Sequence, residues 1–155
     1  MLEQLREEEE RLQFGHFCHE RAWALGCALK AAAEARRGAV AIDISLNGQT
    51  LFQYAMPGTT LDNLDWVRRK RNVVQRYQRS SWYIKCSYEA KGKSLAEASL
   101  VDPADYGAFG GAFPLRVRGV GVVGAITVSG LPQVEDHRLI TDVLEQFLSS
   151  DEKRT

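Results

Sequence analysis

The stretch that decides the fold is Val40-Ala41-Ile42-Asp43-Ile44-Ser45-Leu46-Asn47-Gly48. Its branched apolar residues alternate with small or polar ones, and this period of two predicts a β-strand with one apolar face. The Asn-Gly pair at its end accepts the positive φ angles of a tight hairpin turn. Residues 49–55 are β-rich enough to form the returning arm. We therefore predict an antiparallel hairpin with strands at 39–46 and 49–55.

A second hairpin is predicted in the C-terminal half of the chain. Val and Ile recur on alternate positions in 120–129, and a turn at Arg118-Gly119 separates this run from a β-rich segment at 112–118. Hairpin arms are antiparallel by construction, so we expect all four strands to share one antiparallel sheet. Residues 105–110 are the best candidate for a further strand, because the chain before them is more compatible with helix.

Helical spacing of apolar residues predicts the other elements. They are an N-terminal helix over 2–12 with a solvated glutamate run, helices over 18–37 and 61–79, a continuation of the latter through 81–84, a short helix after Ser94, and a last helix from Pro132 to the C-terminus. Helices that cover both faces of a sheet predict a mixed α/β (α+β) protein built as an α/β/α sandwich.

Composition bounds the class of protein. A chain of 155 residues that is 45% hydrophobic fits a single domain, which we expect over 1–155 with an N-terminal helical segment at 1–14 and a core at 15–150. Twenty basic and twenty acidic residues cancel, so the bulk attraction used by nucleic-acid and anionic-membrane binders is absent. The sequence shows neither a membrane span nor a secretory signal. We expect a cytoplasmic protein that binds neither nucleic acid nor membrane.

Two local patterns resemble known sites without their context. Residues 119–124 match the dinucleotide fingerprint GxGxxG, but they lie inside a β-branched run rather than between a strand and a helix. His16, Cys18, His19 and Cys27 are metal-type ligands, yet the two cysteines turn to nearly opposite sides of the predicted helix. We therefore expect no metal site, surface histidines and buried cysteines that act as small apolar residues.

Lys70 is the single charge on a helical stripe formed with Trp66, Val73 and Tyr77. A buried ammonium needs a partner, so Lys70 must extend to solvent, pair with a carboxylate such as Asp43, or bind an anionic ligand. The same helix carries arginines at 68, 69, 71, 76 and 79, which make it the positive patch of a neutral protein.

A pair of glycines, Gly110-Gly111, precedes the second hairpin. Without side chains, their backbone N–H groups are open to close approach by a ligand. The same pair can equally serve to let a strand enter the sheet from a crowded turn. Both interpretations stay open at the level of sequence.

Several of these stretches together resemble the haem-degrading-domain (GlcG-like) family, and within it a branch of small single-domain proteins. The resemblance extends from about Phe14 to Leu148. The motifs that carry it are Trp66-Val67-Arg68-Arg69-Lys70-Arg71-Asn72-Val73-Val74, Ser80-Ser81, Gly110-Gly111-Ala112-Phe113-Pro114, Gly121-Val122-Val123-Gly124, Val128-Ser129-Gly130-Leu131-Pro132 and Asp136-His137.

The resemblance implies a profilin-like α/β/α sandwich with a mainly five-stranded antiparallel sheet, assembled as a homodimer or a ring of dimers. It implies haem as a candidate ligand or cofactor. Carried over position by position, the ligand-binding residues are Lys70, Arg69, Gly110, Gly111, Ser129 and His137. No residue is assigned a catalytic role.

Three functions follow as hypotheses. The first is an oligomeric small-ligand-binding module with an anionic ligand at Lys70, where the Gly110-Gly111 backbone and His137 are neighbours. The second is an enzyme that binds or degrades haem or a related tetrapyrrole. The third is an oligomeric scaffold that contacts a protein partner. We favour the first, in which His137 lies near a helix N-terminus that disfavours its protonation.

Overall fold

A computed structural model describes residues 1–152 of the chain. The elements in chain order are α1 (Leu2–Arg11), α2 (His19–Ala35), β1 (Ala41–Leu46), β2 (Gln49–Ala55), α3 (Leu61–Tyr77), α4 (Ser81–Ala90), α5 (Leu95–Ser99), β3 (Ala112–Val117), β4 (Gly121–Ser129) and α6 (Gln133–Glu152). The predicted class, a mixed α/β protein with an antiparallel sheet, is confirmed. Each predicted strand of the two hairpins is present within two residues of its expected bounds.

The sheet has the order β2-β1-β4-β3, and every neighbouring pair is antiparallel. Within residues 1–152 it contains four strands, so the expectation of a fifth is wrong. Residues 105–110, the proposed position of that strand, form turns and irregular backbone instead. The backbone of α3 holds this segment: the Gly107 N–H donates to the Arg69 carbonyl at 3.1 Å and not to a neighbouring strand.

Alternation along the strands separates two packing layers. One face carries Ile42, Ile44 and Ile126, which are fully buried in the main hydrophobic core together with apolar residues of α2 and α6. The opposite face carries smaller residues such as Ala112 and packs against α3. The helices therefore lie on both sides of the sheet, as the period of two along β1 predicts.

The long helix predicted over 61–79 with a continuation through 81–84 is two helices. Gln78 adopts a left-handed conformation with φ of 58° and ends α3. Ser80 then begins α4, because its hydroxyl accepts a hydrogen bond from the Tyr83 N–H at 3.0 Å. A side-chain cap on a new helix is more favourable than continuing through a left-handed residue. Among the described residues, no helix is both long and apolar enough to cross a membrane.

The outer edge of β3 is covered by the chain that follows α1. Phe14 pairs with Val117 in a single parallel bridge: its N–H donates to the Arg116 carbonyl at 2.8 Å, and its carbonyl accepts from the Arg118 N–H at 2.8 Å. The Phe14 ring is fully buried. This contact closes one edge of the sheet and fixes the point from which α1 extends across the protein.

Candidate functional site

Lys70 lies on the sheet-facing side of α3 and is 2% exposed. Its ammonium donates to the Val128 carbonyl at 2.6 Å, the Gly110 carbonyl at 3.1 Å and a carboxylate oxygen of Asp136 at 3.3 Å. Three acceptors satisfy the three donors of an ammonium group. Of the three alternatives for Lys70, the structure shows pairing with a carboxylate, and that carboxylate is Asp136. Asp43 pairs with Arg71 instead, at 3.3 Å, so the suggested pairing with Lys70 is wrong.

Asp136 occupies the first turn of α6, and the turn before that helix holds its carboxylate. The N–H groups of Leu131 and Gly130 donate to it at 3.0 and 3.4 Å. Burial raises the pKa of Asp136, and burial also lowers the pKa of Lys70, while the opposite charge on each partner counteracts both changes. The pair joins α3 to the start of α6 through the end of β4.

Gly110 and Gly111 are required by this arrangement. Gly111 has φ of 134°, which favours glycine, and a Cβ atom there would collide with the Lys70 ammonium and the Val128 carbonyl. A Cβ atom on Gly110 would collide with the Gln133 carbonyl. Of the two interpretations of the glycine pair, close packing of backbone around Lys70 is therefore present in the structure.

A cleft of about 350 Å³ opens beside the Lys70–Asp136 pair, between α3, the Gly110 loop and the start of α6. Its walls include Ser129, Gln133 and the rings of Trp66 and Phe109, which meet edge to face at 5.0 Å. Of the six predicted ligand-binding residues, the structure brings Lys70, Gly110 and Ser129 to this cleft. Gly111 adjoins it through its contact with Lys70.

The other two predicted residues lie outside the cleft. The Arg69 guanidinium stacks on the outer face of the Trp66 ring at 3.9 Å and donates to the Pro103 carbonyl at 2.7 Å. His137 is 3% exposed and faces away from Lys70. It lies near the rings of Trp82 and Phe113 at 6.4 and 5.9 Å. Consecutive positions on a helix point about 100° apart, which separates His137 from Asp136.

A larger concavity, which we call the arginine cavity, lies on another side of the molecule. It measures about 650 Å³ and is lined by Arg11, Leu12, Gln13, Gly15, His16, Arg21, Arg118, Glu145, Leu148, Ser149 and Asp151. Its lining includes three arginines and one histidine, together with Leu148 as an apolar side chain. These residues come from four separate parts of the sequence, so spacing carried no signal for this site beyond the presence of His16.

The guanidinium groups of the arginine cavity differ in their partners. Arg21 is held between the rings of Phe14 and Phe147, at 5.7 and 5.1 Å, and binds both carboxylate oxygens of Asp151. Arg11 pairs with Glu145. Within the described residues Arg118 has no acidic partner, and its side chain is exposed at the hairpin turn. The cavity therefore combines two positioned cations with one free cation.

The histidines and cysteines near α2 form no cluster. Across the part of the chain that the structure describes, no three potential ligands are placed to hold a metal ion. Cys18 and Cys27 are exposed and Cys86 is buried, so the expectation of buried cysteines is wrong for the first two. Both lie on the solvent side of α2 or at its cap, away from Ala22 and Leu25, which face the core.

Comparison with known proteins gives a family and a fold. The family model described as "Haem degrading protein HbpS-like" matches residues 17–145. A UPF0303 protein of Streptomyces coelicolor is 52% identical over 145 residues, which cover 94% of this chain and 92% of that protein. The crystal structure of Ybr137w protein gives a TM-score of 0.90 at 34% identity, covering 97% of this chain and 89% of that one. The PduOC:heme complex shares the fold, with a TM-score of 0.67 at 18% identity over 84% of this chain and 92% of that one.

Proposed function

The chain belongs to the HbpS-like haem-degrading family, and from this premise we propose that it is a binding module for haem or a related tetrapyrrole. The observation that carries the proposal is the arginine cavity, a concavity of about 650 Å³ lined by His16, by Arg118, and by two further arginines that are paired with Glu145 and Asp151. A volume of this order is typical of pockets that take cofactors. Another protein of this fold, PduOC, has been crystallised as a complex with haem.

The donor set of the arginine cavity fits such a ligand. Haem offers an apolar ring, two carboxylates and an iron that protein imidazoles commonly hold. His16 would hold the iron, Arg118 would bind a carboxylate, and Leu148 would contact the ring. Once bound, haem would supply the redox chemistry of its iron. The chain itself contributes position and charge.

The cleft beside Lys70 fits haem less well. Its lining contains no imidazole, thiol, thioether or phenol among the described residues, and its one ammonium already has three acceptors. An iron would find no common ligand there. The arginine cavity is therefore the site where we place the tetrapyrrole.

Titration of the purified protein with hemin tests the proposal. We expect a Soret band that shifts on binding and saturates at one hemin per chain. His16→Ala should weaken binding and change the Soret position, because the iron loses its imidazole. His19→Ala is the matched control, since His19 is also exposed, lies three residues away and does not line the cavity. Identical spectra and affinities for wild type and His16→Ala would overturn this placement.

A second candidate function is binding of a small anionic ligand in the cleft at Lys70. Ser129, Gln133 and the Trp66–Phe109 wall favour it, because they place hydrogen-bonding groups beside an aromatic surface that is open at Phe109. Thermal melts with phosphate and with citrate test it. Stabilisation by either anion that Ser129→Ala removes supports this site, whereas equal stabilisation of both proteins places the anion elsewhere.

We also propose that the chain assembles with copies of itself, as a dimer or a ring of dimers. Trp23 is 63% exposed beside Phe52, and the outer edge of β2 carries no charged residue over its seven positions. Sheet edges without charges invite pairing with another chain. Trp66, Trp82 and Tyr83 are half-buried and therefore fit an interface less well than Trp23 does. A single 17.3 kDa species in sedimentation at micromolar concentration would contradict assembly.

A further inference from the structure

The N-terminal helix α1 is attached to the rest of the protein by charged side chains, among them Arg11, which pairs with Glu145, and one buried glutamate. The glutamate run, expected to be solvated, contains one residue, Glu9, that is 1% exposed. One of its carboxylate oxygens accepts a hydrogen bond from the backbone N–H of Ser80, at the start of α4. Within the described residues its other oxygen has no hydrogen-bond partner. Glu9 therefore anchors α1 at the N-terminus of α4, where a helix dipole favours negative charge.

The surroundings of Glu9 raise its pKa, so that this carboxyl group gains or loses its proton near neutral pH. Arg79 and Arg116 lie near it and lower its pKa, and Glu10 beside it pairs with Arg79 at 3.4 Å. Burial outweighs these charges and raises the pKa of Glu9 from 4.5 to about 7. An α1 released into solvent would return Glu9 to its ordinary value. Glu9 therefore binds its proton more tightly when α1 is docked than when α1 is released. By linkage, the docked helix is favoured at lower pH.

A second contact of α1 involves His137. Glu8 approaches the imidazole Nε2 of His137 at 3.5 Å, beyond a good hydrogen bond, and both ring nitrogens lack hydrogen-bond partners among the described residues. Arg138 and Asp142 are the other charged groups at this place. The imidazole is therefore a buried polar group that α1 covers without giving it a hydrogen bond, which makes this part of the contact weak.

The packing of α1 is incomplete. It contacts α4 more than any other helix or strand in the described chain, and a cavity of about 350 Å³ lies at its boundary, lined by Leu5, Glu8, Trp82, His137 and Thr141. Few apolar contacts and a cavity at the boundary are features of segments that open locally.

We propose that α1 is a proton-dependent cover, which Glu9 holds over the Trp82–His137 surface and which is released as the pH rises above neutrality. Because Arg11 at the end of α1 lines the arginine cavity, release also changes one wall of that cavity. This last step alone rests on the proposed haem function. Release of α1 itself is independent of any ligand.

Hydrogen exchange of residues 2–11, corrected for intrinsic rates, tests the proposal on the full chain at pH 6 and pH 8. With a pKa of about 7 docked and 4.5 released, the opening equilibrium should rise about tenfold between these pH values. Glu9→Gln keeps the shape and the acceptor for the Ser80 N–H but carries no proton equilibrium. It should retain the protection of pH 6 at pH 8. Glu7→Gln, which changes an exposed position of the same helix, is the control and should behave as wild type.

Two results would overturn the cover. Equal protection of α1 at pH 6 and pH 8 in the wild type would show that no proton is linked to docking. A pH dependence in Glu9→Gln as large as in the wild type would show that Glu9 is not the group involved. Melts of Glu9→Gln at pH 6 should match the wild type, and hemin titrations at both pH values separate failure of the cover from failure of the haem site.

Discussion

The two basic regions of this protein use positive charge in opposite ways. At the cleft, the Lys70 ammonium is buried and its three donors are used by two carbonyls and Asp136. At the arginine cavity, Arg11 and Arg21 are paired with acids, whereas Arg118 is exposed and has no acidic partner in the described chain. The Lys70 pair holds three elements together, whereas the cavity has charge to offer a ligand. Burial with complete hydrogen bonding distinguishes a structural cation from a binding one.

Removing the buried cation is expected to have the largest effect on stability. Lys70→Met leaves Asp136 buried without its cation and two carbonyls without a donor, which should cost about 3–5 kcal/mol in the free energy of unfolding. A thermal melt measures the loss. The double variant Lys70→Met with Asp136→Asn removes the unpaired charge and should recover part of it. An unchanged melt of the single variant would place Lys70 among the cations that are free to bind a ligand.

The glycine that approaches Lys70 should be the next most sensitive position. Gly111→Ala introduces a Cβ atom at φ of 134° against the Lys70 ammonium and the Val128 carbonyl. We expect a loss of about 2–3 kcal/mol from strain and displacement of the ion pair, measured by chemical unfolding. Gly15→Ala is the control, because a Cβ atom there meets nothing within 4 Å and should leave stability unchanged. Similar stabilities for the two variants would contradict the tight packing.

The free cation of the arginine cavity should affect binding without affecting folding. Arg118→Gln is expected to weaken hemin binding about tenfold, close to 1.4 kcal/mol, because one charge-assisted contact is lost. Its melt should match the wild type, since Arg118 has no acidic partner among residues 1–151. Unchanged affinity would show that Arg118 does not bind the ligand. The contrast between a structural Lys70 and a ligand-binding Arg118 would then fail.

Breaking a solvent-exposed ion pair is expected to have the smallest effect. It serves as the reference against which the effects of the other three variants are judged. Arg36 pairs with Asp142 at 2.8 Å, with side chains 38% and 60% exposed. Arg36→Ala should change the free energy of unfolding by less than about 0.5 kcal/mol, because solvent screens such pairs. Equilibrium unfolding in urea measures it. A loss as large as that of Lys70→Met would mean that burial is not what separates the two kinds of charge.

Local pattern was sufficient for the strands and most helices. The alternation around Ile42 and Ile44, the Asn47-Gly48 turn and the apolar stripe of α6 predicted elements that the structure contains. These features depend on residues close together in the chain. The break between α3 and α4 was missed because it depends on a left-handed Gln78, which has no compositional signal of its own.

The candidate sites depended on residues far apart in sequence. The Lys70 stripe left three alternatives open, namely extension to solvent, pairing with a carboxylate and binding of an anion. Pairing with Asp136 could be identified only once α6 was packed beside α3. The glutamate run predicted a solvated helix, and only packing against Ser80 made Glu9 a buried anchor. Both side chains are ordinary in their local context, so their roles are set by what the fold brings to them.

The sequence by itself determined the two hairpins, the helical stripes and the presence of one cation that had to be satisfied. The tertiary structure alone decided that the sheet has four strands in the described chain, that Asp136 neutralises Lys70, and that arginines from separate segments face one cavity. The physical reason is the distance over which each kind of interaction acts. Periodicity and turn chemistry act over a few residues, whereas ion pairing and cavity formation depend on distances in space that only the packed chain defines.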